Sequence, residues 1–253
     1  MPMKYNFTEQ EKQAIMSVIE LDLTEYCNID CVSCCRVCGK APSKRYLPLT
    51  KIEEFVFESI GLDWKWRLIK LIGGEPTLHP EFFKVLHRIN EYRQFYPLTN
   101  IVLMTNGLDS YKKIKDQLPN WLIVQDNSEN KSKHNQAHRA CYVAPIDVGE
   151  WDENNYIGCD VFRYCGMGLT NEGYFICPLG GTLKRMFPHL PEGLRALKDI
   201  TLDKLFENQE QFCKLCGWYL VKTDKIYNYP VDIISPTWKK AIEEYHKRNK
   251  NNV

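Results

Sequence analysis

The 253-residue chain contains no apolar run approaching the roughly 18–20 residues that a bilayer-spanning helix needs, so no segment is a candidate for such a helix. It also lacks an excess of either charge. Thirty-three Lys and Arg stand against 32 Asp and Glu, a formal charge of +1, which argues against a protein that coats duplex nucleic acid through clustered basic residues. The first 20 residues carry Glu9, Glu11 and Glu20 among the apolar ones and do not follow the charged-then-apolar plan of a secretion signal. Solenoid-type repeats and low-complexity stretches are missing too. These absences lead to the expectation of a cytoplasmic protein with no membrane or nucleic-acid partner, while 44% hydrophobic and 26% charged residues allow one full domain and a small appendage.

What the chain does have is cysteine, 11 in 253 residues. Their number is odd and they are tightly clustered. A chain of this length folds without covalent staples, so the thiols read as metal or redox chemistry rather than disulfides.

Residues 19–24 alternate and run into a Cys-rich loop, which predicts a strand over about 19–25 whose C-terminal end delivers the first cysteines. Pro48 and Thr50 then open a helix. Thr50 and Glu53 have capping-box spacing, and Ile52, Phe55, Val56 and Ile60 recur along one helical face. The unit repeats as a strand at 68–72, a Gly73-Gly74-Glu75-Pro76 loop and a helix at 80–92. A third strand at 101–104 leads into Thr105-Asn106-Gly107 and a weaker helix near 111–118; further strands are expected at 121–124 and 142–146. Strand, loop and helix in repetition mean right-handed crossovers and a parallel sheet, an α/β fold. After about residue 150 the pattern changes to a hairpin at 169–176 turning at Asn171-Glu172-Gly173, surrounded by the remaining cysteines. The expected division is a core over residues 1–150, a smaller module over 151–225 and a C-terminal tail over 226–253. That tail carries one more helix from Ser235, with Pro236 in its first turn and Trp238, Ala241, Ile242 and Tyr245 on one side.

Cys27-Asn28-Ile29-Asp30-Cys31-Val32-Ser33-Cys34 places three thiols within eight residues, enough to wrap one soft-metal centre but one ligand short of closing it. Cys31, Cys35 and Cys38 form an overlapping set of the same spacing, and spacing alone admits either. Cys27, Cys31 and Cys34 are preferred because they begin directly after the strand. A structural zinc knot also uses short Cys spacings and is the competing reading.

The Cys27, Cys31 and Cys34 spacing, Asn28 after the first cysteine, the Gly73-Gly74-Glu75-Pro76 loop and Thr105-Asn106-Gly107, in this order and at strand ends, resemble the radical S-adenosylmethionine superfamily. The resemblance spans about residues 19–150. One departure is Ser33, where the family usually has an aromatic residue. The resemblance implies a partial (β/α)6 barrel of TIM-like character and a [4Fe-4S] cluster on Cys27, Cys31 and Cys34 whose open iron binds S-adenosylmethionine. One electron then releases a 5′-deoxyadenosyl radical that abstracts hydrogen from substrate. It further implies that Gly73, Gly74, Glu75 and Pro76, with Thr105 and Asn106, bind the cofactor, Glu75 and strand-edge carbonyls receiving its ammonium.

Cys159, Cys165, Cys177, Cys213 and Cys216 supply five thiols for one more site. A Cys, a Gly-turned hairpin, Cys177-Pro178 and a later Cys-x-x-Cys are similar to the SPASM/twitch extensions of that superfamily, here of the shorter twitch type. This implies a second, auxiliary [4Fe-4S] cluster, with structural zinc again the rival. Four thiolates would make it an electron conduit; three would leave an iron open to substrate.

Other signals are weaker. His134 and His138 are four apart, with Cys141 following, yet the stretch is polar and reads as loop. Cys141 could donate hydrogen to a product radical, although a buried structural cysteine is the commoner use. Trp64, Trp66, Trp121 and Trp151 read as packing, and Asp147, Glu150 and Asp152 as surface charge. The expected function is an oxidoreductase, epimerase or lyase acting on a sugar, an aminocyclitol or a similar small molecule, supplied with electrons by a donor such as a flavodoxin or ferredoxin. The alternatives are a peptide-modifying relative with a separate recognition partner and, outside enzymes, a zinc-bound interaction module.

Overall fold

Alternation decides the first strand, β1 (Val18–Thr24). Its odd members, Ile19, Leu21 and Leu23, are fully buried against the helices, which leaves Glu20, Asp22 and Thr24 on the opposite face. The computed structural model describes residues 7–128, 141–152, 159, 161–222, 229–230 and 232–249.

β2 (Leu68–Gly73), β3 (Asn100–Thr105) and β4 (Ile123–Asp126) follow in parallel on one side of β1. The crossover helices are α2 (Leu49–Gly61) between β1 and β2, α3 (Phe82–Phe95) between β2 and β3, and the short α4 (Asp109–Ile114) between β3 and β4. Ile52, Phe55 and Val56 of α2 and Val85, Leu86, Ile89 and Tyr92 of α3 share one core with Ile69, Leu71, Ile101 and Leu103 of the sheet. On the other side of β1, β5 (Met167–Thr170) pairs in parallel and β6 (Gly173–Phe175) turns back antiparallel, which gives the order β4-β3-β2-β1-β5-β6. The α/β architecture with a mostly parallel sheet is therefore present, and the hairpin read from residues 169–176 extends this same sheet. All parallel strands end on one edge, so the loops after β1, β2 and β3 gather there.

Three expectations need correction. Thr50 and Glu53 form no capping box, because α2 starts a residue earlier, with Pro48 at its N-cap and no side-chain cap; Glu53 instead accepts from Arg88 Nε at 2.9 Å. The capping box lies at the unforeseen helix α1 (Glu9–Met16), between Thr8 and Glu11. Residues 142–146 form no strand. Pro145 opens a single 3-10 turn, and the neighbouring backbone bonds instead to the start of the last helix: Ser235 N donates to Tyr142 O at 3.0 Å and Ala144 N to Ser235 Oγ at 3.0 Å.

Beyond the sheet, α5 (Val161–Cys165) leads into β5, and α6 (Gly180–Met186), α7 (Leu202–Phe206), α8 (Gln209–Cys213) and α9 (Trp218–Lys222) follow β6. The terminal helix α10 (Pro236–Arg248) buries Trp238, Ala241 and Tyr245 in a second core with Val37, Tyr142, Phe175, Phe187 and Phe212. Among the described residues no helix is long and apolar enough to cross a membrane.

Candidate functional site

Cys27 follows β1 by three residues, so strand geometry sets the start of the cysteine loop. Burial pushes the Cys27 thiol up to about 11. The Ile29 backbone opposes this, and the neighbouring Cys34 and Cys31 sulfurs and the Glu75 carboxylate add to it. Cys27 is thus close enough to Cys34, Cys31 and Glu75 for each to act on it. The loop after β2 approaches them closely, since Gly73 has φ +139° and a Cβ there would meet the Thr24 backbone, while a Cβ on Gly74 would run into the Tyr26 carbonyl. Gly74 N donates to Thr24 O at 2.6 Å and Glu75 N to Tyr26 O at 2.8 Å, which locks the two loops edge to edge.

Glu75 is fully buried, and its carboxylate is spent inside the protein. Oε1 accepts from Thr77 Oγ1 at 2.6 Å, Thr77 N at 3.2 Å and Thr105 Oγ1 at 2.9 Å; Oε2 accepts from Asn106 N at 2.7 Å. It braces the second loop against the third. Asn106 continues the chain of contacts: its Nδ2 donates to Asn28 Oδ1 at 2.8 Å and lies 3.9 Å from Cys27 Sγ. Pro76 is buried at the head of the 3-10 turn that ends this loop.

The overlapping set divides. Cys35 packs against the second core near Arg36, Cys141 and Cys34, and burial raises its thiol well above the ordinary value. Cys38 hydrogen-bonds with Cys34, the largest cause of its raised thiol, with burial and the Cys34 and Cys27 sulfurs following.

In the second group, Cys159, Cys177, Cys213 and Cys216 line one cavity whose other walls include Phe162, Phe206 and Phe212. Burial raises all three thiols of Cys177, Cys213 and Cys216, Cys213 to about 12, with the Cys159 sulfur adding in each case; Gln209 Nε2 opposes at Cys213, donating to its sulfur at 3.2 Å. Cys165 is not on that cavity wall; its sulfur acts on Cys177, and it also lies near Glu20 and Lys70. Its thiol is pushed up to about 11, by burial first and then by the Glu20 charge, with Lys70 opposing. Among the described residues no three His, Cys, Asp or Glu side chains are gathered as a site for a single metal ion.

Of the weaker candidates, His134 and His138 lie outside the described residues. Cys141 is buried in the second core, its N–H donating to Ser33 Oγ at 3.0 Å. Asp147 caps α10, accepting from Thr237 N at 2.9 Å and Thr237 Oγ1 at 2.6 Å. Trp64 and Trp66 stack at 5.3 Å, and Trp151 packs on Tyr219.

Sequence reasoning missed a buried ionic group on the inner face. Arg36 Nη2 donates to Glu20 Oε2 at 2.6 Å, and its Nη1 donates to Asp22 Oδ2 at 3.2 Å and to Pro178 O at 2.6 Å; Lys70 Nζ donates to Glu20 Oε1 at 3.1 Å. The only available signal was acidic residues at alternate positions of β1.

No family model matches the chain. The probable GTP 3′,8-cyclase of Pyrococcus horikoshii is 30% identical over 101 residues, 39% of this chain and 30% of that protein. The GTP 3′,8-cyclase of Aquifex aeolicus is 28% identical over 128 residues, 47% of this chain and 38% of that protein. The match thus spans less than two fifths of either relative's length. Among solved structures, BtrN in complex with AdoMet and 2-DOIA aligns at a TM-score of 0.46 and 17% identity, over 84% of this chain and 92% of BtrN. Streptococcus suis SuiB bound to precursor peptide SuiA aligns at 0.33 and 18% identity, over 46% of this chain and 26% of SuiB. The cyclases are radical S-adenosylmethionine proteins, and over the matched part of its length this chain is similar in sequence to them.

Proposed function

We propose that this chain is a radical S-adenosylmethionine enzyme with two iron–sulfur clusters that oxidises or rearranges a small molecule bearing hydroxyl or amino groups. The observation that carries the reading is the meeting, at one edge of the sheet, of the Cys27, Cys31 and Cys34 thiols with the loops of Gly73 to Pro76 and Thr105-Asn106. The residues fit a cluster, because Cys27, Cys31 and Cys34 put three thiols, the soft donors that iron–sulfur centres take as thiolates, on one short loop. When bound there, a [4Fe-4S] cluster with one open iron supplies the electron that splits S-adenosylmethionine into methionine and a hydrogen-abstracting 5′-deoxyadenosyl radical.

The chain's own residues hold the cofactor pocket in shape. Strand-edge carbonyls at 73–75 suit an ammonium, while Glu75 fixes those carbonyls by bracing one loop on the next. Asn106 holds Asn28 beside Cys27. Cys159, Cys177, Cys213 and Cys216 would hold a second [4Fe-4S] cluster with every iron ligated, an arrangement suited to passing an electron rather than binding substrate. Cys165, near both Cys177 and Glu20, is the fifth candidate. Glu20, Asp22, Arg36 and Lys70 give the inner face a charged but balanced character, suited to a sugar, an aminocyclitol or a similar polar substrate. A flavodoxin or ferredoxin is the class of donor that supplies the first electron.

The test is anaerobic reconstitution. About eight irons per chain are expected, with 5′-deoxyadenosine formed from S-adenosylmethionine and dithionite, and none formed by the protein with Cys27, Cys31 and Cys34 replaced by Ala. About four irons with one zinc would remove the second cluster. Colourless protein that forms no 5′-deoxyadenosine would remove the enzyme reading, and a mass shift on a precursor peptide, in place of turnover of polar small molecules, would reassign the substrate.

A further inference from the structure

Arg36 lies two residues after Cys34, and its guanidinium is buried, with the side chain 7% exposed. From the cysteine loop it reaches across to the second group and donates to the carbonyl of Pro178, the residue after Cys177. Asp22 and Glu20 act on it, and so do the Cys177 sulfur of the second group and the Cys35 sulfur next to Cys34 in the chain. A second cation is tied to the same loop: Arg185 of α6 donates from Nη2 to Arg36 O at 2.8 Å and from Nη1 to Ala41 O at 2.9 Å. The Arg36 charge is thus fixed between the two cysteine groups by Glu20, Asp22 and Pro178.

Resting on the two-cluster reading, we propose that Arg36 is a positioning residue that holds a fixed positive charge between the two iron–sulfur sites and raises the reduction potential of both. Reducing a cluster adds a negative charge, and a buried cation beside it stabilises the reduced form more strongly than a hydrated surface cation could. Glu20 and Asp22, paired with the guanidinium, oppose this and Lys70 in turn offsets Glu20, so each member of the group has a predictable sign.

The experiment is potentiometric titration of the reconstituted full-length protein, followed by electron paramagnetic resonance, with iron counted in every sample. R36Q is expected to shift both clusters to more negative potential, R36K to restore most of the shift, and E20Q to move them in the opposite direction. The E20Q arm keeps the inference open to refutation if R36Q does not fold. Iron-loaded R36Q or E20Q with unchanged potentials overturns the inference alone; a parent protein that binds no iron overturns the cluster reading and this inference with it.

Discussion

Cys34 and Cys38 are in contact, yet Cys27 and Cys38 should answer removal differently. Cys27→Ala is expected to lose about half of the reconstituted iron, whereas Cys38→Ala keeps it; iron counts on the two purified variants settle the matter, and equal loss from both would shift the ligand set towards Cys38. The preference for Cys27 came from its place after the strand and from Asn28. The division between Cys35 and Cys38, one packed against the second core and the other bonded to Cys34, had no counterpart in the spacing. Glu75 teaches the same point at a single carboxylate. Its presence in the loop was legible, but its four protein donors belong to Thr77, Thr105 and Asn106, residues up to 31 positions away. Replacing it with Gln sets an amide donor against one of those donors, which should cost about 1–3 kcal/mol of stability in urea denaturation of the metal-free protein.

At the scale of elements, β1 carries both the core and the polar face, and its Asp22 makes that duality measurable. Burial raises the Asp22 carboxyl to about 6, with Arg36 opposing and Glu25 and Glu20 adding; Arg185 also opposes. The folded protein therefore holds a proton there that the unfolded chain has released, so stability contributed by the protonated form is present below pH 4 and is lost as the pH rises towards 6. The slope from this one group is at most about 1.4 kcal/mol per pH unit. Denaturation of metal-free parent and D22N protein across pH 4–6 should show the difference between them changing with that sign, and a constant difference would refute it. The helices carry the reverse lesson. Residues of α2 were correctly placed on an apolar face by their three-and-four spacing, but a capping box was misread at Thr50 because its side chain lies inside the first turn, after Pro48. The same motif at Thr8 and Glu11 does cap a helix. A cap depends on where the chain enters the helix, and packing chooses that point.

Across the whole molecule, the C-terminal half holds the cysteine loop in place. Tyr142 Oη donates to Cys34 O at 2.9 Å, Tyr245 Oη to Pro42 O at 3.0 Å, and His246 Nε2 meets Lys40 O at 2.8 Å. Trp238 of α10 supports this arrangement, tilted against Tyr142 and edge-on to Phe187, with Nε1 donating to Leu215 O at 2.8 Å. Trp238→Ala should cost about 3–5 kcal/mol and lower iron uptake at the Cys27 group, although it lies more than 200 positions from those cysteines in sequence. Thermal melts and iron counts on the same preparation test both effects.

The sequence by itself determined the α/β repeat, the apolar faces of α2, α3 and α10, and the two groups of cysteines, because periodicity, strand-end position and residue chemistry are local. Only the tertiary structure decided that β5 and β6 join the sheet beside β1, that Cys165 lies near Glu20 as well as Cys177, and that Arg36 reaches from the cysteine loop to Pro178. Those outcomes depend on which buried polar atoms can satisfy one another once distant segments are packed together, and no local pattern encodes that choice.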